Sequence, residues 1–461
     1  MGSTETPRVA IVGGGFAGSL TAAHLLRNAT KPIDICLIER RPPFGAGKAF
    51  QTSLPCHLLN VPAIRMSAYP DDPEHLVRWL AGRFQGPEAG LASAAAFLPR
   101  HVYGEYVERT LLAAMEGSTA RLTRIVGEAV AIEPDAKGAN PRLRMRDGSV
   151  LQSRVAVLAI GNPAPSDPLG NGGLRSSPRY AADPWDPGAL DPLAAGDPVV
   201  TIGSNLTMVD VALALDHRNH RGPIVAVSTH GLLPLPHRTE LLPAWSSRIE
   251  GNTAGPREVL RAMRQDVRAA SAEGVEWRPV VDSIRKRTVS IWTSWPEGAR
   301  RRFLRHARPY WEIHRHRMAP DNAKTIASLL DTGRLRVVAG RIAGVSEKED
   351  AIELVVRRRG TARSETLRAA RIVNCTGPGM DFRSSPDALV RDLLARGLAR
   401  PGPLGLGFDA DGDQALIGSD GRPSPALFTL GPPLKGCYWE TTAVPEIREQ
   451  AKALARKLSD S

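Results

Sequence analysis

Three glycines and one acid carry the clearest chemistry in this chain. Gly13, Gly15 and Gly18 fill the pattern GxGxxG directly after the apolar run Val9 to Val12. Glu39 closes a second apolar run, Ile33 to Ile38, about 20 residues beyond the turn. The first glycine permits a tight turn, the second lets a pyrophosphate approach the backbone, and the third lets the next helix pack close to the strand. A helix from Ser19 to Asn28 would then offer phosphate its unpaired amides and the positive end of its dipole. An acid placed like Glu39 accepts hydrogen bonds from an adenosine ribose. Strand, turn, helix, strand and acid in register read as a grip for one end of a dinucleotide, without saying which dinucleotide.

Other residue types narrow the chemistry by exclusion. Cys36, Cys56, Cys375 and Cys437 lie far apart, with no CxxC and no metal-ligand spacing, which argues against a dithiol reductase and a metal site. Cys36 and Cys375 fall inside apolar strand patterns, where a buried thiol is the default. No serine, histidine and acid constellation points to a hydrolase. The net charge of +12 comes mostly from arginines scattered along the whole chain. Without a basic tail or a recognisable module, that charge reads as solvated surface and not as a nucleic-acid interface.

The 461 residues, 42% hydrophobic and 23% charged, suit a globular protein of two or three domains. No signal peptide and no long apolar run is visible, so no membrane partner and a cytoplasmic location are expected. Gly2 with Thr6 matches the short N-myristoylation pattern, which recurs by chance.

Along the chain, Gly45 to Asp72 is rich in Gly, Pro and small polar residues and reads as an ordered functional loop. Helices are expected over Pro73 to Ala81 and Phe97 to Glu116. Leu122 to Glu133, Arg142 to Met145 and Val150 to Ile160 read as an antiparallel meander that runs into Gly161. After a Pro and Gly rich stretch, Val199 to Ile202, Gly203, the helix Leu206 to Leu215 and the strand Ile224 to Ser228 repeat the opening more weakly. The turn reads Gly203, Ser204, Asn205, so the middle glycine is missing. Residues 250 to 330 are mainly helical, with a basic cluster from Arg300 to Arg317 that is either a solvated face or an anion site. Leu335 to Val338, Gly344 to Val345, Ile352 to Arg357 and Ala370 to Asn374 repeat the meander and end at Gly377. The implied α/β fold has two Rossmann-type units, each with a central parallel sheet. The boundaries are residues 7–165 for the first unit, 166–330 for the second, and 331–461 for completion of the discontinuous first unit.

GAGKAF at Gly45 to Phe50, FLPRHVYGEY at Phe97 to Tyr106, IGSNLTMVDVALAL at Ile202 to Leu215, RPYWEIHRHRMAP at Arg308 to Pro320 and LGPPLKGCYWETTAVPEIREQA at Leu430 to Ala451 go further. With them the chain resembles two-dinucleotide-binding-domain flavoproteins of glutathione-reductase-like fold. The closer resemblance is to the FAD/NAD(P)-binding branch that includes amino-acid N-monooxygenases. It implies FAD in the first grip, touching Gly13, Gly15, Phe16, Ala17, Gly18, Glu39, Arg40, Gly47 and Ala49. Arg100 would lie near the phosphates and the backbone of Ala129 and Val130 near adenine. Asn60, Val61 and Met66 would face the isoalloxazine. Gly161, Gly377, Gly431, Thr442 and Ala443 would border the cofactor, with a helix start near Thr442 to Glu446 aimed at the electron-rich flavin edge. Gly203, Ser204 and Asn205 would meet NADPH or NADH. Ser228 and Thr229 stand where many relatives place an arginine for the 2′-phosphate, which leaves His230 or Arg238 as substitutes.

The expected function is that of an FAD-dependent NAD(P)H oxidoreductase, foremost a monooxygenase that uses molecular oxygen to hydroxylate a small substrate at an amine nitrogen. Asn60 and His237 are its candidate catalytic residues: a flavin-facing amide, and an acid or base near neutral pH. Two alternatives stand beside it. One is an FAD-dependent reductase or electron-transfer protein without oxygen insertion, docking partners through the basic cluster. The other is a flavin-binding regulatory protein whose second unit has lost its dinucleotide.

Overall fold

A computed structural model describes residues 7–170, 174–249, 251 and 253–460; Gly2 and Thr6 lie outside them. Two parallel sheets dominate. The first has the spatial order Ala415–Ile417, Pro423–Thr429, Val155–Leu158, Arg8–Val12, Asp34–Glu39, Arg121–Val126. All its neighbours are parallel except the Ala415–Ile417 edge. Val9 to Ile11 and Ile35 to Ile38 are almost completely buried, as continuous apolar strands covered on both faces must be.

The helix Phe16–Asn28 begins three residues before the expected Ser19 and buries every residue from Phe16 to Leu26. Its two flanks are the helix Arg100–Met115 and the C-terminal helix Val444–Asp460, so three helices stack on one face of the sheet. Pro73 to Ala81 is matched, two residues late, by His75–Arg83. Prolines at the start of Pro256–Ala272 and Pro320–Asp331 sit where a missing N–H costs no helical bond.

The second sheet runs Ser364–Ala369, Ile352–Arg358, Leu335–Glu347, Ile224–Ser228, Val199–Ile202, Arg371–Asn374, Tyr180–Ala181. This moves a boundary. The strands between 335 and 374 were expected to complete the first unit, but they pair into the second sheet, so the second unit extends well past residue 330. Leu335–Glu347 lies parallel to Ile224–Ser228 through Ala339 and from Gly340 pairs antiparallel with Ile352–Arg358, with a register shift between Ile342 and Gly344. The first unit is completed by the later strands Ala415–Ile417 and Pro423–Thr429 and the C-terminal helix.

The earlier meander also divides. Only Ala129–Glu133, Arg142–Met145 and Val150–Gln152 form the antiparallel sheet. Arg121–Val126 and Val155–Leu158 join the main sheet as parallel strands.

The helical region after residue 255 attaches to the C-terminal segment through an aromatic core. Trp292 stacks on Trp439 at 5.1 Å and donates Nε1–H to the Gly436 carbonyl at 2.9 Å, and Phe303 meets Trp439 edge-on. Trp439 holds φ +63°, a strained conformation for a large side chain that this packing enforces. Among the described residues no helix is long and apolar enough to cross a membrane.

Candidate functional site

The two sheets present the same device twice. In the first, Arg8–Val12 enters Gly13 at φ +106°; a Cβ there would stand 2.2 Å from the Ala159 carbonyl oxygen of the adjoining strand end. In the second, Val199–Ile202 enters Gly203 at φ +113°, where a Cβ would stand 2.3 Å from the Cys375 carbonyl oxygen. Each turn therefore lies at the carboxyl end of its first strand, at the point where strand order reverses, where open parallel sheets bind ligands. Gly18 completes the first turn, because its Cα hydrogen faces the Gly13 carbonyl and a Cβ would come within 1.9 Å of that oxygen.

Gly15 and Asn205 share one extended conformation, φ −71°, ψ −164° and φ −94°, ψ −165°. The missing middle glycine is thus no backbone problem, and Asn205 needs no left-handed conformation. The Asn205 Oδ1 accepts from the Leu206 amide at 2.9 Å. Gly15 supplies no side-chain cap, so the first-turn amides of Phe16–Asn28 remain free for an anion.

A cavity of about 1050 Å³ opens from the first turn. Gly13, Gly15, Phe16 and Ala17 line it, as do Glu39 and Arg40 from the second strand and Gly47 and Ala49 from the loop that follows. Gly15 and Gly47 pack backbone to backbone: a Cβ on Gly47 would lie 2.9 Å from the Gly15 Cα. Ala129, Gly161 and Thr442 also reach the wall, the last beside the start of Val444–Asp460. Both Glu39 oxygens accept backbone amides, from Gly14 and from Arg41, each at 2.8 Å. That fixes the carboxylate at the turn while leaving each oxygen a further lone pair.

Gly18, Val130, Gly377, Gly431 and Ala443 stand outside that wall, as do Gly203, Ser204 and Asn205. Gly431 is tied to the C-terminal helix by its amide, which donates to Gln450 Oε1 at 2.7 Å.

Arg100, expected near the phosphates, stands behind the cavity wall, against Asp210 and Trp185, which line it. Its guanidinium grips Asp210 with Nη2 2.9 Å from both carboxylate oxygens, and its Nε donates to the Leu58 carbonyl. Asp210 belongs to the helix Leu206–His217, so this ion pair ties the two units together, and Asp210 rather than Arg100 lines the cavity. His57, also in the wall, adds an Nε2 bond with the Asp210 carbonyl at 3.0 Å.

The loop carrying Asn60, Val61 and Met66 is pinned from behind. Leu59 and Ala63 amides donate to the Leu98 and Ala96 carbonyls, and the Tyr103 hydroxyl donates to the Met66 carbonyl at 2.9 Å. None of the three lines the large cavity. The Asn60 side chain makes no hydrogen bond with another described residue, while its carbonyl meets His237 Nε2 at 3.0 Å.

His237 is corrected as an acid or base. Burial, then the Arg317 charge, pulls its pKa down to about 3, so near neutrality it is an uncharged ring donating Nε2–H to the loop. It lies in a second, small cavity of about 40 Å³ with Arg65, Arg278, Asp282 and Arg317.

Burial also lowers His24 to about 4 and His316 to about 4. In the unfolded chain all three imidazoles protonate near pH 6.5, so below that pH the unfolded state binds more protons and stability falls. Each histidine contributes up to about 1.4 kcal/mol per pH unit between its unfolded and folded values. Urea midpoints are expected to fall between pH 7.5 and 5, with a shallower slope in His237→Gln; a flat midpoint would contradict the buried neutral state.

Four of the seven arginines in the basic cluster are ion-paired. Arg301 pairs with Glu297 and Arg308 with Glu312, while the buried Arg315 and Arg317 pair with Glu440 and Asp282. Lys435 lies 5.0 Å over the Trp439 ring, its ammonium pKa lowered by burial. Among the described residues no group of three or more His, Cys, Asp or Glu is arranged to hold a metal.

Sequence reasoning missed Lys48 and the segment Asp183 to Leu190. Both line the cavity, joined by an ion pair between Lys48 and the buried Asp183. Lys48 sits in the GAGKAF motif, but its partner lies in a stretch whose composition signalled only turns.

Residues 10–163 match the FAD-NAD(P)-binding family model. No curated protein matches the sequence. Among solved structures, the ornithine N-hydroxylase of Kutzneria sp. 744 aligns over 99% of both chains at 14% identity and a TM-score of 0.65. The ornithine hydroxylase of Pseudomonas aeruginosa does so at 14% and 0.66, and the L-lysine 6-monooxygenase of Pseudomonas syringae at 16% and 0.66, again over 99% of both chains. With one matched FAD-NAD(P)-binding region, two parallel sheets and two equivalent glycine turns, the chain has the fold of the two-dinucleotide-binding-domain flavoproteins.

Proposed function

We propose that this protein is an FAD-dependent NAD(P)H monooxygenase that hydroxylates a small substrate at an amine nitrogen. The observation that carries the reading is the end-to-end fold likeness to three proteins named as ornithine or lysine hydroxylases, together with a second turn that keeps the geometry of the first. The balanced reaction is R–NH₂ + NAD(P)H + H⁺ + O₂ → R–NHOH + NAD(P)⁺ + H₂O.

The cavity fits FAD. Its volume exceeds the usual range for drug-sized ligands, about 300–1,000 Å³, and it runs from the uncapped helix start at Phe16 to the start of the C-terminal helix. The free amides after Gly15 would hold the pyrophosphate, Glu39 the adenosine ribose, and the backbone at Ala129 the adenine. Thr442 and the helix Val444–Asp460 would set a positive dipole end beside the flavin ring. When bound, FAD supplies hydride acceptance from the nicotinamide and electron delivery to oxygen. The Asn60 amide, without a side-chain hydrogen-bond partner among the described residues, would orient the substrate, with His237 positioning its backbone. Gly203, Ser204 and the helix from Leu206 would grip the nicotinamide dinucleotide.

For the docking-patch alternative, four of the cluster's seven arginines are ion-paired, two of them buried, which leaves a smaller exposed patch around Arg302 and Arg305. Purified yellow protein, supplied with NAD(P)H and a panel of amines and amino acids, is expected to consume oxygen and yield a product with one added oxygen atom. Stoichiometric hydrogen peroxide with no hydroxylated product across the panel would overturn the reading.

A further inference from the structure

In a Rossmann-type unit, the end of the second strand is where the adenosine 2′-position is read. Here that strand is Ile224–Ser228, followed by Thr229 and His230, and no arginine stands in the turn. The fold brings two from the neighbouring hairpin. Leu335–Glu347 runs parallel with Ala339 opposite Ser228, which carries Arg341 just beyond the strand end. Its antiparallel partner returns so that the Arg359 amide donates to the Ala339 carbonyl at 2.9 Å. Arg359 Nη1 donates to the Thr229 carbonyl at 3.3 Å, and a Cβ on Gly231 would meet that of Ala339 at 2.9 Å. The 229–231 turn and the hairpin are therefore one edge.

Charge distinguishes this edge from its surroundings. Arg336 and Arg358 share Glu365, at 2.6 and 3.0 Å. Arg341 and Arg359 are exposed and have no carboxylate partner among the described residues. The His230 pKa is lowered, first by burial and then by the charges of Arg359 and Arg341. Tyr310, 48% exposed, sets its ring edge against His230 at 5.9 Å and leaves a flat aromatic surface beside the cations. Arg238 is removed from consideration: its Nε donates to Glu276 at 2.9 Å, and it lines the small cavity beside His237.

We propose that Arg341 and Arg359, with His230, hold the 2′-phosphate of NADPH, so that this chain selects NADPH over NADH through the hairpin next to the second strand. The inference rests on the reading of the Gly203 turn as a nicotinamide-dinucleotide grip. Both arginines supply charge-assisted donors to a dianion, each worth about tenfold in affinity.

The test is calorimetric titration of the purified flavoprotein with 2′,5′-ADP and with 5′-ADP. The wild type is expected to bind 2′,5′-ADP at least about tenfold more tightly. Arg341→Ala and Arg359→Ala should each lose about tenfold for 2′,5′-ADP and leave 5′-ADP unchanged, with Arg→Lys at either position recovering part of the loss. Equal wild-type affinity for the two probes, or equal loss of both in the variants, would overturn the 2′-phosphate assignment alone. Failure of both probes to bind would overturn the Gly203 grip as well.

Discussion

Replacing Gly18 by alanine is expected to leave the protein without bound flavin and destabilised by about 3 kcal/mol or more. The added Cβ would stand 1.9 Å from the carbonyl oxygen of Gly13 in the turn and 3.1 Å from the side chain of Ile11 in the buried strand, so neither neighbour can yield without moving turn, strand or helix. Gly13→Ala meets the Ala159 carbonyl at 2.2 Å and adds the strain of φ +106°. Gly15→Ala separates folding from binding. Its φ of −71° suits any residue, and its Cβ would lie 3.1 Å from the Gly47 Cα, a small displacement. That variant should keep its melting temperature within a few degrees but lose cofactor affinity by about tenfold, because the methyl enters the cavity where the first-turn amides open. Flavin absorbance after gel filtration and thermal unfolding measure the two effects. Tight flavin retention in Gly15→Ala would remove the turn from the binding site.

Arg100→Ala carries the second large effect. It removes the only cation bonded to the Asp210 carboxylate among the described residues, a group 4% exposed and set in the interior of the helix Leu206–His217. Breaking a buried pair from one side costs about 3–5 kcal/mol, since the other charge is left desolvated. The cost should be visible as an earlier urea transition and as weaker flavin retention, because Asp210 lines the cavity and an unpaired anion there opposes a phosphorylated ligand. The double variant Arg100→Met, Asp210→Asn should recover much of the loss. If single and double variants lose the same stability, within about 0.5 kcal/mol, the pair is not the tie between the units.

The legible parts of this chain are those whose signal is local. The run from Val9 to Glu39 encodes its strand, turn and acid within one βαβ unit, and the Gly203 turn repeats the same local logic despite Asn205. The second meander was legible as a hairpin but not as a member of a particular sheet, because period-two alternation is the same whichever edge a hairpin joins. Arg100 was placed near the phosphates only by the family resemblance; its ion-pair partner Asp210 lies 110 residues away, and only the packing of Leu206–His217 against the first unit brings the two together. Asp183 to Leu190 read as a linker because proline and glycine report backbone turns and carry no information about Lys48, 135 residues earlier. His237 was read from its intrinsic pKa, which the sequence supplies, and corrected by burial, which it does not.

In the proposed function one chain holds both dinucleotides and passes electrons between them. Its most direct measurement is an anaerobic titration of the purified yellow protein with NADPH and with NADH. The flavin absorbance is expected to bleach at one equivalent of NADPH and to return when air is admitted. Flavin that stays oxidised with either nicotinamide would contradict the account.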